Sequence, residues 1–319
     1  MARQDLGVRR QHLSDSSFLI EVVNGLSQPQ KSLPSRFFYD AAGSELFEKI
    51  TGLPEYYPTR VECALLTAHA ADMVEAFGNN SVLVEFGSGS STKTELLLQN
   101  LPECAVYAPI DVSQAALRGA CSRLAHRFPD LKVVPVVADF ATLPRLPTHL
   151  AARSKFGFFP GSTIGNFKPA EAVHLLQRFR TLLQPRGHVL IGVDLRKDRG
   201  ILERAYNDSQ GVTAEFNLNV LARINREIAP VVDLEAFAHH AFYNEREGRI
   251  EMHLMSRHDQ SFEIDGCRIS FRAGETIHTE NSYKYTVTQF QDLARCAGWT
   301  PERSWTDAEN LFSVHELRS

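Results

Sequence analysis

The chain has 319 residues, with 34 Lys and Arg against 38 Asp and Glu, a formal charge of −4, and 43% hydrophobic and 23% charged residues. That length suits two domains or one domain with a large insertion, and the composition is that of an ordinary globular protein. There is no basic run to track a phosphate backbone and no apolar stretch near the roughly 20 residues a bilayer span needs, so neither nucleic acid nor a membrane is expected as a partner.

Met1 to His12 are mostly polar and basic, with no apolar segment of the kind that directs secretion. Helical spacing from Cys63 to Ala76 precedes Val82-Leu83-Val84-Glu85-Phe86, a buried-strand pattern that leads straight into Gly87-Ser88-Gly89-Ser90-Ser91. Two glycines permit a tight turn and a close approach of backbone to ligand. Tyr107 to Asp111 reads as a second strand ending in a carboxylate, where an acid commonly meets a ribose diol. A dinucleotide fingerprint would have a third glycine where Thr92 stands, so the loop points instead to a nucleoside cofactor without phosphates, S-adenosylmethionine (SAM).

Ala115 to Arg127 is again helical in spacing, and Lys132 to Ala138 reads as a third strand. Asp139 and Phe140 follow it, a carboxylate and an aromatic face suited to an adenine, although Asp139 alone would serve equally as a turn or helix cap. Lys155 to Phe159 is a short strand ending at Pro160-Gly161, and a helix over Ala170 to Leu183 precedes a strand from Gly187 to Asp194. Strands separated by helices imply a parallel sheet with right-handed crossovers and its ligand at the carboxyl ends.

After Asp194 the alternation stops. Ile201 to Asp208 and Thr213 to Ile228 look helical, followed by strand-like Phe237 to Asn244, Arg249 to Ser256, Ser261 to Ile264 and Arg268 to Phe271. A helix over Thr288 to Ala297 and strands over Thr300 to Thr306 and Leu311 to Leu317 complete the pattern. An α/β core that finishes in an antiparallel hairpin is the mark of a Rossmann-like class I SAM methyltransferase, whereas a nicotinamide fold would repeat βαβ. Residues 195–285 are therefore expected to be an insertion in a methyltransferase core, placed at a strand's carboxyl end over the cofactor, where a substrate lid belongs.

Cys63, Cys104, Cys121, Cys267 and Cys296 are scattered singly and form no Cys-x-x-Cys pair, which suits a reducing cytoplasm. The twelve His include His239-His240 but no metal-ligand spacing, so no metal is expected. A monomer acting on a small molecule is the expected form.

With these segments in place, the chain resembles the SAM-dependent histidine Nα-methyltransferases, which make hercynine, the trimethylbetaine of histidine, on the path to ergothioneine. The likeness is carried by Leu33-Pro34-Ser35-Arg36-Phe37-Phe38-Tyr39-Asp40, Gly43-Ser44-Glu45-Leu46-Phe47 and Leu53-Pro54-Glu55-Tyr56-Tyr57-Pro58-Thr59-Arg60. It continues through Gly161-Ser162-Thr163-Ile164-Gly165-Asn166-Phe167, Ala205-Tyr206-Asn207-Asp208, Glu251-Met252-His253-Leu254 and Thr279-Glu280-Asn281-Ser282-Tyr283-Lys284-Tyr285. The resemblance implies a two-lobed enzyme, with a methyltransferase core over 61–194 and 286–319 and an α+β substrate-binding lobe over 8–60 and 195–285. It implies that SAM is met by Gly87, Gly89, Lys93, Asp111, Asp139 and Phe140. It implies that histidine is met by Tyr56, Gly161, Asn166 and Tyr206 at its amino-acid end and by Glu280, Ser282 and Met252 at its ring. Tyr39 and Phe47 match aromatic positions near the amine, with Tyr39 and Asn166 expected to act in catalysis. Some relatives carry a sulfoxide-forming iron domain, for which 319 residues leave no room, so C–S bond formation is expected to fall to another protein.

The residue chemistry agrees with these roles to different degrees. Glu280 can accept from an imidazole N–H, though alone it would pass for an exposed strand carboxylate. Asn166 offers a donor and an acceptor, and tyrosines at 39, 56 and 206 can donate through the hydroxyl while their rings face a cation. Met252 by itself is plain packing, and Lys93 a solvated helix residue. A sister enzyme acting on tryptophan is disfavoured by polar Glu280 and Ser282, because indole offers one donor and wants an apolar wall. A SAM-binding regulator without turnover is the reading from another class, and the intact amine-end residues speak against it.

Overall fold

The computed structural model describes residues 17–102, 105–142 and 144–319; the expectations for Met1 to His12 and for Cys104 lie outside them. In chain order the elements are a helix over 17–26 (α1), β1 (Lys31–Ser32), α2 (Ala41–Thr51), α3 (Tyr57–Met73), β2 (Ser81–Phe86), α4 (Thr92–Leu98), β3 (Val106–Asp111) and α5 (Gln114–Arg127). They continue with β4 (Lys132–Val133), β5 (Val136–Val137), β6 (Ser154–Phe159), α6 (Pro169–Leu183), β7 (His188–Asp194), α7 (Arg199–Tyr206) and α8 (Val212–Glu227). The remainder are β8 (Phe237–Asn244), β9 (Arg249–Ser256), β10 (Gln260–Ile264), β11 (Cys267–Phe271), β12 (Thr276–Tyr283), α9 (Val287–Cys296), β13 (Thr300–Thr306) and β14 (Phe312–Arg318). The chain divides into two compact units. One comprises residues 17–50, Leu202–Asn244 and Ile250–Asn281, and the other Thr51–Ile201, Glu245–Arg249 and Ser282–Ser319.

The second unit is built on a sheet of order β13-β14-β7-β6-β2-β3-β4, with β5 also paired to β3. Strands β2 to β7 run parallel, and β14 joins β7 antiparallel, Phe312 opposite Asp194 and Arg318 opposite His188. β13 then pairs antiparallel with β14, which is the expected terminal hairpin. Alternate residues face opposite layers. Val82, Val84 and Phe86 point with Val189, Ile191 and Val193 toward α6 and α9. Leu83, Tyr107, Phe158 and Leu190 point toward α3, α4 and α5. The sheet is therefore the centre of a three-layer α/β/α sandwich. Its strand order reverses at β2, which has β3 on one side and β6 on the other, the place where open parallel sheets bind ligands.

The sequence expectation of one strand from Lys132 to Ala138 gives way to two two-residue strands, because Pro135 has no N–H to continue the ladder. Helix α3 begins six residues before the expected start, with Pro58 in its first turn, where a missing N–H costs nothing.

In the first unit, β1, β12, β9 and β8 form a four-stranded sheet in that order, and β10 and β11 a separate hairpin. Asp265 and Gly266 both take positive φ at the hairpin tip, the turn that Asp-Gly prefers. Asp40 caps α2, accepting from the Gly43 N–H at 2.8 Å, and also accepts from Asn219 at 2.9 Å and pairs with Arg226. Burial would raise the Asp40 carboxyl, but these donors outweigh it and hold it below its ordinary value. A Cβ at Gly43 would overlap the Phe38 carbonyl, which accounts for glycine there. Among the described residues no helix is long and apolar enough to cross a membrane.

Candidate active site

Five loops leave the carboxyl ends of β2, β3, β5, β6 and β7, and the predicted cofactor residues sit on or beside the first three, except Lys93, which lies on α4. Gly87 (φ +69°) and Gly89 (φ +48°) turn the chain out of β2 in a conformation that disfavours side chains. A Cβ on Gly87 would lie 3.1 Å from the Phe140 ring, so the ring closes over bare backbone. Gly89 donates its N–H to Asp111 Oδ2 at 2.8 Å, while Asp111 Oδ1 accepts from Ser113 N–H at 2.8 Å. Gly87, Gly89, Asp111 and Phe140 are thus brought together as a flat-walled slot beside a carboxylate. Asp139 accepts from the Ala141 N–H at 2.8 Å, so it does cap the short 3₁₀ turn Phe140–Thr142. Capping leaves its second oxygen for other partners, and the two readings of Asp139 are compatible.

Beneath the loop, Glu85 lies on the α3/α4 face of β2 between apolar neighbours and accepts a hydrogen bond from Tyr107. Burial pushes its carboxyl up to about 7. Ser91, in a left-handed conformation just before α4, bonds the same Tyr107 hydroxyl at 2.7 Å.

Lys93 is not a merely solvated helix residue. Its ammonium lies 2.6 Å from Glu62, a fully buried carboxylate on α3 that also accepts from the Gly161 N–H at 2.9 and 3.0 Å. A Cβ on Gly192 would overlap that carboxylate, so glycine in β7 makes room for it. Glu62 joins the helix after the cofactor loop to the loop after β6. Sequence reasoning missed it; the available signal was an acid three and four residues before Leu65 and Leu66, on the apolar face of α3.

The Gly161–Asn166 loop carries the amino-acid-end candidates. Its turn lies against Tyr283 of the same unit: a Cβ on Gly165 would be 2.8 Å from the Tyr283 carbonyl oxygen. Half-buried Asn166 and buried Ser282 thereby sit on backbone segments in close approach, and Tyr56 lies buried at the start of α3. Ser162 Oγ accepts from the Asp194 N–H at 2.9 Å, tying this loop to the end of β7.

Asp194 is the hub of a second buried network that the sequence did not mark. Its carboxylate accepts from the Tyr57 hydroxyl at 2.7 and 2.8 Å, lies 2.7 Å from Lys284, and pairs with Lys197. Burial alone would raise Asp194; the Lys284 and Lys197 ammoniums outweigh it and hold the carboxyl below its ordinary value. Lys197 is itself lowered to about 8 by burial, against the pull of Asp194 and with the push of Lys284.

The first unit holds the remaining candidates. Half-buried Tyr39 and Phe47 pack edge-to-face at 5.5 Å, both against Phe216 of α8. The Asp40 cap fixes the start of α2 and with it this aromatic group. Buried Tyr206 receives a hydrogen bond on its carbonyl from His239, and buried Met252 receives one on its carbonyl from Thr279. Glu280 is half-buried on β12, in step with His278 rather than with Thr279. Glu251, His253 and His278 place potential ligand atoms within 4.8 Å of one another. The two imidazoles, however, stack at 4.7 Å and 14°, which does not converge their in-plane lone pairs on one ion, and Glu251 accepts from or shares a proton with His253 at 3.0 Å.

Residues 18–319 match the family described as histidine-specific methyltransferase, SAM-dependent. The chain is 41% identical over 300 residues to the histidine N-alpha-methyltransferase of Mycolicibacterium smegmatis, and 39% identical over 300 residues to that of Mycobacterium tuberculosis, with 92% of both partners covered in each case. It is 31% identical over 298 residues to ergothioneine biosynthesis protein 1 of Neurospora crassa, covering 90% of this chain and 33% of that protein.

Proposed function

The chain belongs to the SAM-dependent, histidine-specific methyltransferase family, and from that premise we propose that it methylates the α-amino group of L-histidine three times, giving hercynine for ergothioneine biosynthesis. The observation that carries this reading is that the glycine loop after β2, held by Asp111, and the Gly161–Asn166 loop after β6 flank the point where the strand order reverses. Cofactor-type and amino-acid-type residues therefore leave adjacent parallel strands. Four cysteines, Cys63, Cys121, Cys267 and Cys296, are free thiols, which favours a reducing cytoplasm, and we take a monomer as the working unit.

Gly87, Gly89, Asp111, Asp139 and Phe140 would hold the nucleoside, and Lys93 the far end of the cofactor. Bound SAM supplies a methyl group made electrophilic by an adjacent sulfonium. What the protein contributes is position: Tyr56, Gly161, Asn166 and Tyr206 hold the amino acid so that its nitrogen lies in line with the carbon–sulfur bond, about 3 to 3.5 Å from the carbon. Each transfer would form an N–C bond as the C–S bond breaks, and before each the α-nitrogen must shed a proton to expose its lone pair. Asn166, or Tyr39 through water, would carry that proton to solvent. The rings of Tyr39, Phe47 and Tyr56 suit a nitrogen that ends as a quaternary cation, at about 0.5 to 2 kcal/mol per contact. Glu280, Ser282 and Met252 would choose the ring.

The test is mass spectrometry of a reaction containing the protein, SAM and an equimolar set of the standard amino acids. Trimethylated histidine as the sole methylated product is the expected result. Methylation of another amino acid would overturn the substrate, and absence of product with SAM binding intact would overturn the enzyme.

A further inference from the structure

His239, one half of the His239-His240 pair, is not used by the proposed site. It stands on β8, and within the same compact unit the end of α7 is tied to alternate residues of that strand. The Tyr243 N–H donates to Glu203 Oε1 at 3.0 Å, Asn207 Nδ2 donates to the Ala241 carbonyl at 3.1 Å, and His239 Nε2 lies 2.8 Å from the carbonyl of Tyr206, the last residue of α7. The carbonyls of a helix's last turn have no partner within the helix, so a donor from outside is needed there. On its other side His239 Nδ1 lies 2.8 Å from Nδ2 of Asn217, a fully buried residue of α8.

Two backbone carbonyls assign the protons. Asn217 Nδ2 is also 3.0 Å from the His253 carbonyl, which can only accept, so the amide turns its nitrogen there and its Oδ1 accepts from Thr279 Oγ1 at 2.7 Å. The same amide nitrogen meets His239, so Nδ1 offers a lone pair. The Tyr206 carbonyl can only accept as well, so Nε2 carries the proton. We propose that His239, as the neutral Nε2–H tautomer, is a positioning residue that sets the place of Tyr206 at the amino-acid end of the substrate. The proposal rests on the histidine reading above, in which Tyr206 meets the amino acid. A proton added at Nδ1 would face the Asn217 amide donor, and turning that amide to receive it would set Asn217 Oδ1 against the His253 carbonyl. Burial holds the half-buried ring below its ordinary 6.5, against the Tyr206 carbonyl and Asp208 and with the push of His240. Asp208 caps α8 through the Val212 and Thr213 N–H groups at 2.9 and 2.8 Å. α7 brings the Glu203 carboxylate, bonded to β8 as above, and α8 the uncharged Asn217. The rings of His253 and His278 stack with Phe242, which, three residues from His239, points to the opposite face of the sheet.

The experiment is calorimetric titration of histidine into the protein saturated with S-adenosylhomocysteine at pH 8, alongside nitrogen NMR of the protein's own labelled histidines. His239→Ala should raise the histidine Kd about tenfold, since a shift of about 1 Å in a binding group is enough for that, and leave the S-adenosylhomocysteine Kd within about twofold. His239→Gln carries a donor and an acceptor on one side chain and should restore the histidine Kd to within about twofold of wild type. The ring signal that His239→Gln removes should show a bare Nδ1 and a protonated Nε2. Histidine affinity unchanged in His239→Ala, no recovery in His239→Gln, or a proton on Nδ1 in place of Nε2 would each overturn the proposal and leave the histidine reading standing. Should His239→Ala fail to bind S-adenosylhomocysteine, the tautomer and His239→Gln decide. Failure of histidine to bind a wild-type protein that does bind S-adenosylhomocysteine would overturn the histidine reading, and this proposal with it.

Discussion

Glu62 and Lys93 offer the most direct measurement of how the loops are held. Glu62→Gln keeps the shape and one acceptor for the Gly161 N–H but removes the charge facing Lys93. Breaking a buried ion pair typically costs about 3 to 5 kcal/mol. The Lys93 side chain is 18% exposed and can turn to water, so we expect the lower end, about 3 kcal/mol. Lys93→Met is harsher, about 3.5 kcal/mol, because it strands a carboxylate whose side chain has 0% exposure. The double variant leaves neither charge alone and should cost about 2 kcal/mol less than the sum of the singles, which is the coupling energy of the pair. The chain has two tryptophans, Trp299 and Trp305, both in the unit that contains Glu62 and Lys93, so their fluorescence in a urea titration follows that unit alone. Additivity of the two substitutions within about 0.5 kcal/mol would refute the claim that Glu62 holds Lys93.

Glu280→Ala should weaken histidine binding by about 2 kcal/mol, roughly thirtyfold, with SAM affinity unchanged; equal histidine affinity in calorimetry would remove Glu280 as a ring anchor. Tyr39→Phe should retain binding of histidine yet change the proportions of mono-, di- and trimethylated product in single turnovers, and an unaltered distribution would argue against Tyr39 at the amine. Glu85 has a pH signature. Its carboxyl moves from the ordinary 4.5 up to about 7 on folding, so across that window the native state keeps a proton that the unfolded chain releases. Stability therefore falls as pH rises from 4.5 through 7, by up to about 3 kcal/mol from this group. Glu85→Gln should flatten that slope and raise the urea midpoint at pH 8 relative to wild type, and parallel pH profiles would exclude the assignment.

The strands, helices and closing hairpin of the α/β core were legible because burial on both faces writes continuous apolar runs and crossover helices write a 3.6-residue period. The strand signal at Lys132 to Ala138 was overridden by Pro135, a backbone effect stronger than the apolar run around it. Helix α2 and strand β12 escaped notice for a different reason. α2 carries Gly43 and five charged or hydroxyl positions, and β12 alternates buried Ile277 and Thr279 with half-buried His278 and Glu280, so neither presents an apolar run. Gly87, Asp111 and Phe140 could be singled out as candidates from spacing because cofactor loops follow strand ends. Glu62 and Lys284 could not, since each pairs with a residue far away in sequence, Lys93 and Asp194, and only the fold supplies that partner. The family resemblance supplied the candidate substrate residues without revealing what holds their loops.

The three buried acids near these loops show why partner identity matters more than burial. Glu62 and Asp194 each face ammonium groups, Lys93 in one case and Lys197 with Lys284 in the other. Glu85 makes its close polar contact with the hydroxyl of Tyr107, and burial outweighs the Thr94 and Tyr107 hydroxyls and the Lys93 charge, so its carboxyl rises to about 7. A buried carboxyl thus faces lysine at Glu62 on α3 and at Asp194 at the end of β7, whereas Glu85, under the loop after β2, holds its proton to higher pH than an exposed carboxyl does. A carboxyl that gives up its proton reluctantly suits that place. SAM carries a sulfonium charge, and an anion fixed beneath Gly87 and Gly89 would stabilise the cofactor's charge before transfer more than after it, raising the barrier that methyl transfer must cross. The other two carboxylates are offset by lysines, one at Glu62 and two at Asp194, so they add no net negative field where they hold the loops: Glu62 accepts from the Gly161 N–H, and Lys284, paired with Asp194, donates to Ser282.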